Sequence, residues 1–310
     1  MKKVTILLSL FTFAFAYNGS ITGVTYFDYT RENDASAFNF NRQYFSYSID
    51  MSNDAKFKVV FDVGRTNKAT DELGNNIEDT RLVTFLKKAQ LDHKCEWGMT
   101  NLGLIGTNTY GIQEKNWGYR FIEKSALDKN KFVSTADLGV GVSMNLLNNL
   151  NVGMQYLNGE GYKIPESNFI QKLSLNINYG EMNLSKNSGL NLGMVYSTDL
   201  TKDSSRVTLF SIYTGFSIKK IRFGAEFDIF DDKELTSIYL NYSLSRQIDL
   251  FSRYDVLSED SEETPSIPLK DKYIISGLVF DCENGLLISP NIRKSNEDDL
   301  VYKLNFQFKF

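Results

Sequence analysis

The C-terminal segment of the chain alternates between apolar and polar side chains, and this period limits the possible folds more than any other feature. In residues 300–310 every even-numbered position is a leucine, tyrosine or phenylalanine, whereas Lys303, Asn305, Gln307 and Lys309 lie between them. A period of two residues is that of a β-strand with one apolar face and one polar face. Such a strand belongs either to a soluble sheet or to a wall between lipid and water, and the strand alone does not distinguish the two.

Similar segments occur along the whole chain. In residues 188–198 and 219–230, for example, large apolar residues alternate with asparagine, glycine or charged residues. No later segment reaches the ~18 uninterrupted apolar residues that a membrane-spanning helix needs. The pattern therefore predicts an all-β protein, a transmembrane antiparallel up-and-down β-barrel of about sixteen strands, with about fourteen or eighteen if one hairpin is misplaced. The predicted strands lie near residues 20–30, 38–51, 55–65, 81–94, 98–106, 132–146, 149–158, 169–181, 188–198, 205–217, 219–230, 235–246, 248–257, 272–282, 285–294 and 299–310.

The N-terminus has the three parts of a secretory signal peptide. Two lysines follow the first methionine, an apolar run extends to Phe13, and Ala14–Ala16 has the small-x-small form of a cleavage site. We therefore expect residues 1–16 to be removed and the barrel to occupy residues 17–310. A secreted barrel of this kind is predicted to lie in the outer membrane of a Gram-negative bacterium.

The connections between the predicted strands alternate in length. Those after even-numbered strands are mostly tight turns, as at 52–54 and 148–149, and those after odd-numbered strands are mostly long and polar. This asymmetry is typical of bacterial barrels, in which the long loops face outward. Exceptions are the longer turn near 181–187 and the short loop near 231–234.

A barrel of about sixteen strands encloses a lumen too wide for side chains to fill. Burying many charges in a dry interior would cost several kcal/mol per ion, so the polar face predicts a water-filled channel for passive diffusion of small hydrophilic solutes or ions. Lys87 and Lys88 are adjacent, so one of them faces outward or a bulge changes the phase. The predicted inward charges are Arg42, Lys56, Lys58, Asp62, Asp137, Arg222, Glu226, Asp228, Arg253, Asp255, Lys303 and Lys309.

The longest connection, residues 107–131, is the third on the outer side. If it folds into the barrel, its charges contribute to ion selectivity; the alternative is a solvated loop over the barrel mouth. The candidate pore-lining and selectivity residues are Arg42, Lys56, Lys58, Lys115, Arg120, Lys124, Arg222, Arg253, Lys303 and Lys309. The inward acids nearly match the inward bases in number, so the count alone favours neither anions nor cations. An anion preference is a hypothesis that rests on the bases Lys56, Lys58, Arg120, Lys303 and Lys309.

Other kinds of chemistry find little support in the sequence. The formal net charge of −4 gives no basic field for nucleic acid. The single histidine, His93, has no recognisable nucleophile beside it, so we expect neither catalysis nor a cofactor. The acidic segment 258–263 lacks the ligand spacing of a calcium loop, which predicts no metal site. Cys95 and Cys282 fall at the same rim but far apart around the barrel, so we expect free thiols.

Three short motifs resemble those of phosphate-selective porins of the O/P type. They are Trp117-Gly118-Tyr119-Arg120, Ala136-Asp137-Leu138-Gly139-Val140 and Asn158-Gly159-Glu160-Gly161. The resemblance covers residues 104–162 closely and implies a sixteen-stranded channel that is usually a homotrimer. Anion channels of that family carry a ladder of arginines and lysines along the lumen.

The C-terminal Phe310 resembles the signal that the barrel-assembly machinery reads during insertion. Expected partners are that machinery, outer-membrane lipid and lipopolysaccharide, and small ions or solutes. Two alternatives stay open at this point. One is a non-conducting barrel that acts as a surface binding or adhesion protein through its extracellular loops, and the other is a secreted soluble β-sandwich.

Overall fold

The computed structural model describes residues 19–65, 69–70, 76–77, 82–167, 169–201, 206–259, 269–296 and 298–310. The predicted signal peptide and its cleavage site lie outside the described residues. So does most of the acidic segment 258–263.

The described chain forms a closed antiparallel barrel of sixteen strands, as the alternation predicts. Each strand pairs with its neighbours in the chain, and the last strand pairs with the first to close the barrel. A separate two-stranded pairing of Ala69–Thr70 with Asn76–Ile77 lies between the third and fourth strands. The barrel strands are β1 Gly19–Glu32, β2 Ala35–Asp50, β3 Ala55–Arg65, β4 Leu82–Cys95, β5 Gly98–Gly106, β6 Ala136–Leu147, β7 Leu150–Leu157, β8 Lys172–Gly180, β9 Gly189–Asp199, β10 Thr208–Ile218, β11 Ile221–Phe230, β12 Lys233–Ser243, β13 Ile248–Glu259, β14 Leu269–Asp281, β15 Leu286–Ser295 and β16 Val301–Lys309.

The apolar face of each strand points away from the barrel. In β9, Leu190 and Leu192 are 58% and 55% exposed, whereas Asn191 between them is only 1% exposed. This arrangement is the inverse of a soluble sandwich, whose apolar faces are covered. The outward apolar band therefore excludes the β-sandwich alternative and fits a barrel that meets lipid.

The barrel closes where the C-terminus meets β1. Gly23 and Phe310 exchange two backbone hydrogen bonds of 3.0 Å, and the Phe310 ring covers Gly23 from outside. A Cβ atom on Gly23 would lie 2.2 Å from the ring carbon Cζ of Phe310, so a larger residue at this position would have to displace the ring.

The connections have two lengths, which distinguish the two ends of the barrel. The turn end carries the short connections after even-numbered strands, such as 96–97 and 219–220, and the loop end carries most of the long ones. The turn 181–188 is longer, as predicted, and the loop-end turns 33–34 and 231–232 are short.

Two helices interrupt the longest loop. They are α1, Gly111–Trp117, and α2, Ala126–Lys129, and no helix in the described part of the chain is long and apolar enough to span a membrane. The predicted strand 132–146 begins only at Ala136, because residues 132–135 belong to this loop, which we call loop 3 (residues 107–135).

Two β-bulges place extra side chains on the inner face. The pairing of β1 with β2 shifts so that Asn41 is inserted, and the pairing of β3 with β4 shifts so that Lys87 is inserted. The second bulge answers the question of orientation for the adjacent lysines, because it resets the phase and both Lys87 and Lys88 face inward.

Candidate functional site

Loop 3 folds into the barrel, one of the two positions that the sequence left open. The Trp117 ring is 1% exposed and packs edge-on against Tyr239 and Phe251 of the inner wall, at centroid distances of 5.3 and 5.8 Å. Phe121 and Ile122 are each 4% exposed in the same apolar cluster. Burial of these apolar side chains stabilises the loop against the wall.

Hydrogen bonds from buried wall side chains fix the position of loop 3. Asn116 and Asn191 donate to each other's amide oxygens at 3.0 and 2.9 Å, and Gln113 donates to the Ser211 hydroxyl at 3.3 Å. Farther along, Asn305 donates to the Phe121 carbonyl at 3.2 Å. These buried bonds supply partners for polar groups that would otherwise be unsatisfied, so they favour one position of the loop.

Helix α1 ends at a glycine that the site requires. Gly118 has a φ of 80°, and its backbone N–H donates to the Glu114 carbonyl at 2.9 Å. A Cβ atom there would lie 2.8 Å from the Arg222 guanidinium, which donates to the Trp117 carbonyl at 2.9 Å. The left-handed backbone and the close approach of Arg222 both favour glycine.

Loop 3 covers two of the predicted pore-lining residues. Arg253 is 1% exposed and donates to the Lys124 carbonyl at 2.6 Å, and Arg222 is held against the Trp117 carbonyl. Both face inward, as predicted, but they support the loop from behind. The open lumen lies on the opposite side of loop 3.

The expectation that every inward charge faces water is wrong for this side of the barrel. Glu226, Asp228 and Asp255 are at most 7% exposed beneath loop 3. The Arg253 guanidinium donates two hydrogen bonds to the Asp255 carboxylate, at 2.8 and 2.7 Å. The Asp255 carboxylate can be buried here because this pairing offsets part of its desolvation cost.

An ion pair fixes the middle of loop 3 to the wall. The Glu123 carboxylate accepts from the Arg293 guanidinium at 2.9 Å and from the Tyr273 hydroxyl at 2.9 Å. Burial opposes the charge, yet the cations Arg293, Arg253 and Lys129 hold the pKa of Glu123 below its ordinary value. Glu123 therefore stays ionised and anchors the loop.

An opening remains between loop 3 and the opposite wall. It has a volume of about 410 Å³, and its boundary is formed by β1, β2, β15, β16 and the segment Arg120–Lys124. Five of its lining side chains are basic and two are acidic. They are Arg42, Arg120, Lys124, Arg293 and Lys303, and Asp28 and Glu123.

Two inward acids are hidden behind the bases of this opening with which they form ion pairs. The side chains of Asp28 and Asp62 are 2% and 0% exposed, whereas those of Lys303 and Arg42, their partners, are 23% and 19% exposed. Asp28 also accepts hydrogen bonds from Thr30, Asn39 and the inserted Asn41. Solutes in the opening therefore contact mainly the bases of these pairs.

Arg120 is shared by two acids of loop 3. Its guanidinium lies 3.1 Å from Glu114 and 3.0 Å from Asp128. Burial raises the pKa of the Glu114 carboxyl despite this neighbour, and the two acids keep the pKa of Arg120 above its ordinary value. Lys124 lies 3.5 Å from Asp128 and is 39% exposed, which makes it the most exposed base of the loop's ion pairs.

A second group of bases lies on β3 and β4. Lys58 and Lys87 both act electrostatically on Lys88, and neither Lys58 nor Lys88 forms an ion pair with any described carboxylate. Lys87 approaches the Tyr44 hydroxyl at 3.4 Å. The sequence candidates included Lys58 but missed Lys87 and Lys88, although their adjacency is the signal of a bulge.

The remaining candidates lie away from the opening. Lys56 is half exposed and lies 3.2 Å from Asp50 at the turn end, and Lys309 is exposed at the same end. Lys115 is exposed on α1.

Among the residues that the structure describes, histidine, cysteine and acidic side chains do not assemble into a catalytic or metal site in the lumen. His93 lies on the outward face at the turn end, where its Nδ1 atom is 3.5 Å from the Cys95 sulfur. Cys95 and Cys282 are both free, as predicted. Within the described ranges, no three histidine, cysteine or acidic residues are placed to hold a metal ion.

These features define the class: a closed sixteen-stranded antiparallel barrel that a folded loop narrows from within. No protein-family model matches the chain, and no curated protein matches it.

Solved structures match over almost the whole chain. OmpF of Salmonella typhi in a complex with daunomycin is 10% identical with a TM-score of 0.68, covering 94% of this chain and 97% of OmpF. A mutant of the Rh. blastica porin is 12% identical with a TM-score of 0.60, covering 94% and 100%. OmpT of Vibrio cholerae in a trimer form is 10% identical with a TM-score of 0.61, covering 95% and 100%. The chain thus has the fold of these bacterial outer-membrane proteins. Its resemblance to phosphate-selective porins stays a prediction.

Proposed function

We propose that this protein is an outer-membrane porin, a water-filled channel for passive diffusion of small hydrophilic solutes. The observation that carries the proposal is the opening between loop 3 and the wall, because its charged side chains face a free volume of about 410 Å³. Charged side chains around this volume favour its filling with water, because taking them out of water would cost several kcal/mol per ion. The fold that the chain shares with the Rh. blastica porin supports the same function.

We further propose that the channel prefers anions. Asp28 and Asp62 are covered by their partners, so the exposed parts of Arg42 and Lys303 set the potential on the wall of the opening. Lys124 and the group of Lys58 and Lys88 add positive charge. Fixed charge at a constriction selects ions of the opposite sign.

Location and assembly follow from the same proposal. The outward apolar band requires a membrane, and the predicted signal peptide would deliver the chain to the outer membrane with removal of residues 1–16. A homotrimer is proposed because a structural neighbour with 10% identity, OmpT of Vibrio cholerae, is described in a trimer form. Contacts with lipopolysaccharide, and recognition of Phe310 by the barrel-assembly machinery, belong to the proposal as well.

The test is single-channel conductance in a planar bilayer, with the reversal potential measured in a potassium chloride gradient. We expect steady conductance and a reversal potential of the sign given by chloride preference. Lys303→Gln should move the reversal potential toward cation preference, because it uncovers Asp28. The control Lys56→Gln should move it much less, since Lys56 is half exposed at the turn end. A folded protein that does not conduct would overturn the proposal and return attention to the adhesion alternative.

A further inference from the structure

We propose that residues 158–163, which follow β7, form a second constriction element whose Tyr162 and Lys163 help to set the size and charge of the anions that pass. This inference rests on the proposed channel function. We call these residues the loop 4 segment. They enter the barrel from the loop end, beside the last residues of loop 3.

The loop 4 segment is held by the first strand after loop 3. The Asp137 carboxylate accepts from the backbone N–H of Gly159 at 2.7 Å, and the Ala136 carbonyl accepts from the N–H of Tyr162 at 3.0 Å. Gly159 and Gly161 have φ angles of 107° and 83°, which side chains rarely tolerate. A Cβ atom on Gly161 would also lie 2.2 Å from the Ser134 hydroxyl oxygen. Asp137 thus serves to place Tyr162, although its inward position suggested a lumen charge.

From this turn the Tyr162 side chain reaches across to β3. Its hydroxyl donates to the carboxylate of Asp62, which also accepts from Arg42 at 3.0 and 3.1 Å. Its ring meets the Phe85 ring of β4 edge-on, with centroids 6.4 Å apart. Through its backbone and its side chain together, Tyr162 therefore links β6 to β3 across the inner face, and its ring occupies part of the lumen's cross-section.

The hydroxyl of Tyr162 also affects which charges solutes contact. Burial and the neighbouring Asp62 raise the pKa of the phenol, so it remains a hydrogen-bond donor in neutral solution. With Tyr162 and Arg42 both donating to it, Asp62 has no exposed surface, whereas Arg42 keeps 19%. Tyr162 thereby helps to leave the base of this ion pair, and not its acid, facing the lumen.

Two lysines accompany the ring. The ammonium group of Lys87 lies 5.5 Å from the Tyr162 ring centre, and that of Lys163 lies 5.7 Å from it and 4.9 Å from the Phe85 ring centre. Lys163 is exposed, so its charge is available to solutes. An anion that enters from the loop end therefore meets the exposed Lys163 beside Tyr162, in addition to the bases beside loop 3, whereas Lys87 is only 7% exposed behind the ring.

The experiment compares Tyr162→Ala, Tyr162→Phe and Lys163→Gln with the matched control Ile164→Ala. Ile164 belongs to the same loop, but it is 55% exposed and has neither a charge nor an aromatic ring. The readouts are single-channel conductance in potassium chloride and the reversal potential in a salt gradient. Heat-modifiable gel migration first establishes that each variant is a folded barrel.

We expect Tyr162→Ala to raise conductance and to shift the reversal potential toward cation preference, because the lumen widens and Asp62 is uncovered. Tyr162→Phe should keep most of the wild-type conductance and show part of the shift. Lys163→Gln should shift the reversal potential while leaving conductance closer to wild type. The control should leave both readouts unchanged.

The outcomes separate this inference from the proposed function. A folded wild-type protein that does not conduct would overturn both. A conducting wild type with Tyr162→Ala and Lys163→Gln indistinguishable from Ile164→Ala would overturn the second constriction element alone. A change in conductance without any shift in reversal potential would refute the charge role of the loop 4 segment.

Discussion

Substitution Glu123→Gln tests whether loop 3 is held in the lumen by its ion pair with the wall. The Glu123 carboxylate accepts hydrogen bonds from Arg293 and Tyr273, both at 2.9 Å, and from the backbone N–H of Lys124 at 3.0 Å. Glutamine has nearly the same volume and keeps one acceptor oxygen. The substitution therefore removes the charge and one acceptor while preserving the packing.

The size of the effect follows from the burial of the pair. The side chains of Arg293 and Glu123 are 11% and 16% exposed. Removal of one partner from a buried pair costs about 3–5 kcal/mol, and the residual exposure places this pair near the lower value. Because each 1.4 kcal/mol is about tenfold, a loss of about 3 kcal/mol raises the open population of loop 3 roughly a hundredfold.

Limited proteolysis of the folded barrel measures that population. Trypsin cleaves after Lys124 only when the loop leaves the wall, and the cleavage rate follows the open population when closing is fast. We expect Glu123→Gln to speed this cleavage about a hundredfold. The double variant with Arg293→Gln should lie much closer to wild type, since it leaves no unpaired buried charge.

The matched control is Glu259→Gln, which removes the partner of Lys233 from an ion pair at the loop end. These side chains are 45% and 33% exposed, so the pair contributes little, about 0–1 kcal/mol. Cleavage after Lys124 should then stay near the wild-type rate. Equal rates for wild type and Glu123→Gln, or additive effects in the double variant, would refute the anchoring role of the ion pair.

Three further predictions concern the seam, the effect of acid and the thiols. Gly23→Ala should impair barrel closure, because the new Cβ meets the C-terminal ring at 2.2 Å, whereas Gly111→Ala has nothing within 4 Å and should leave the melting temperature in gel-shift assays unchanged. The pKa of Glu123 is lowered, so its contribution is present above the ordinary value of 4.5 and is lost as pH falls through the lowered one. An acid-active protease should therefore cleave the loop faster only below about pH 4, and faster cleavage between pH 7 and 5 would contradict this. Cys282 is exposed and Cys95 is partly buried, so both should react with maleimide without prior reduction, Cys282 first, and a reduction-dependent gel shift would argue against free thiols.

The barrel itself can be predicted from the sequence because the residue pattern of each strand depends on the environment of its two faces. Alternation in residues 188–198 places Leu190 and Leu192 on one face, and the structure exposes them while covering Asn191. This information is local, with a period of two, and needs no knowledge of distant residues. Strand ends were less accurate where a loop is buried, as at 132–135, because the buried apolar residues there continue the pattern of the strand that follows.

The position of loop 3 was left open because charge alone does not distinguish a solvated loop from a folded one. The apolar residues carried a signal that charge did not. Trp117, Tyr119, Phe121 and Ile122 lie within six positions, a density that water-exposed loops rarely carry. All four are buried against the wall. Their partners on β12 and β13 lie more than a hundred residues away, so the sequence gives no indication of where the loop docks.

The charge of the lumen depends on which side chains reach water, and a count of inward residues does not give it. Acids nearly equal bases in the sequence count, yet Asp28 and Asp62 have almost no exposed surface. Glu226 is hidden in turn beneath loop 3. A passing ion comes closer to the exposed base of such an ion pair than to its buried carboxylate. The electrostatic potential in the opening is therefore more positive than the numbers of inward acids and bases imply. Anion preference is therefore a property of the folded loops as much as of the wall, and substitutions that release loop 3 should weaken the preference even when they change no charge in the opening.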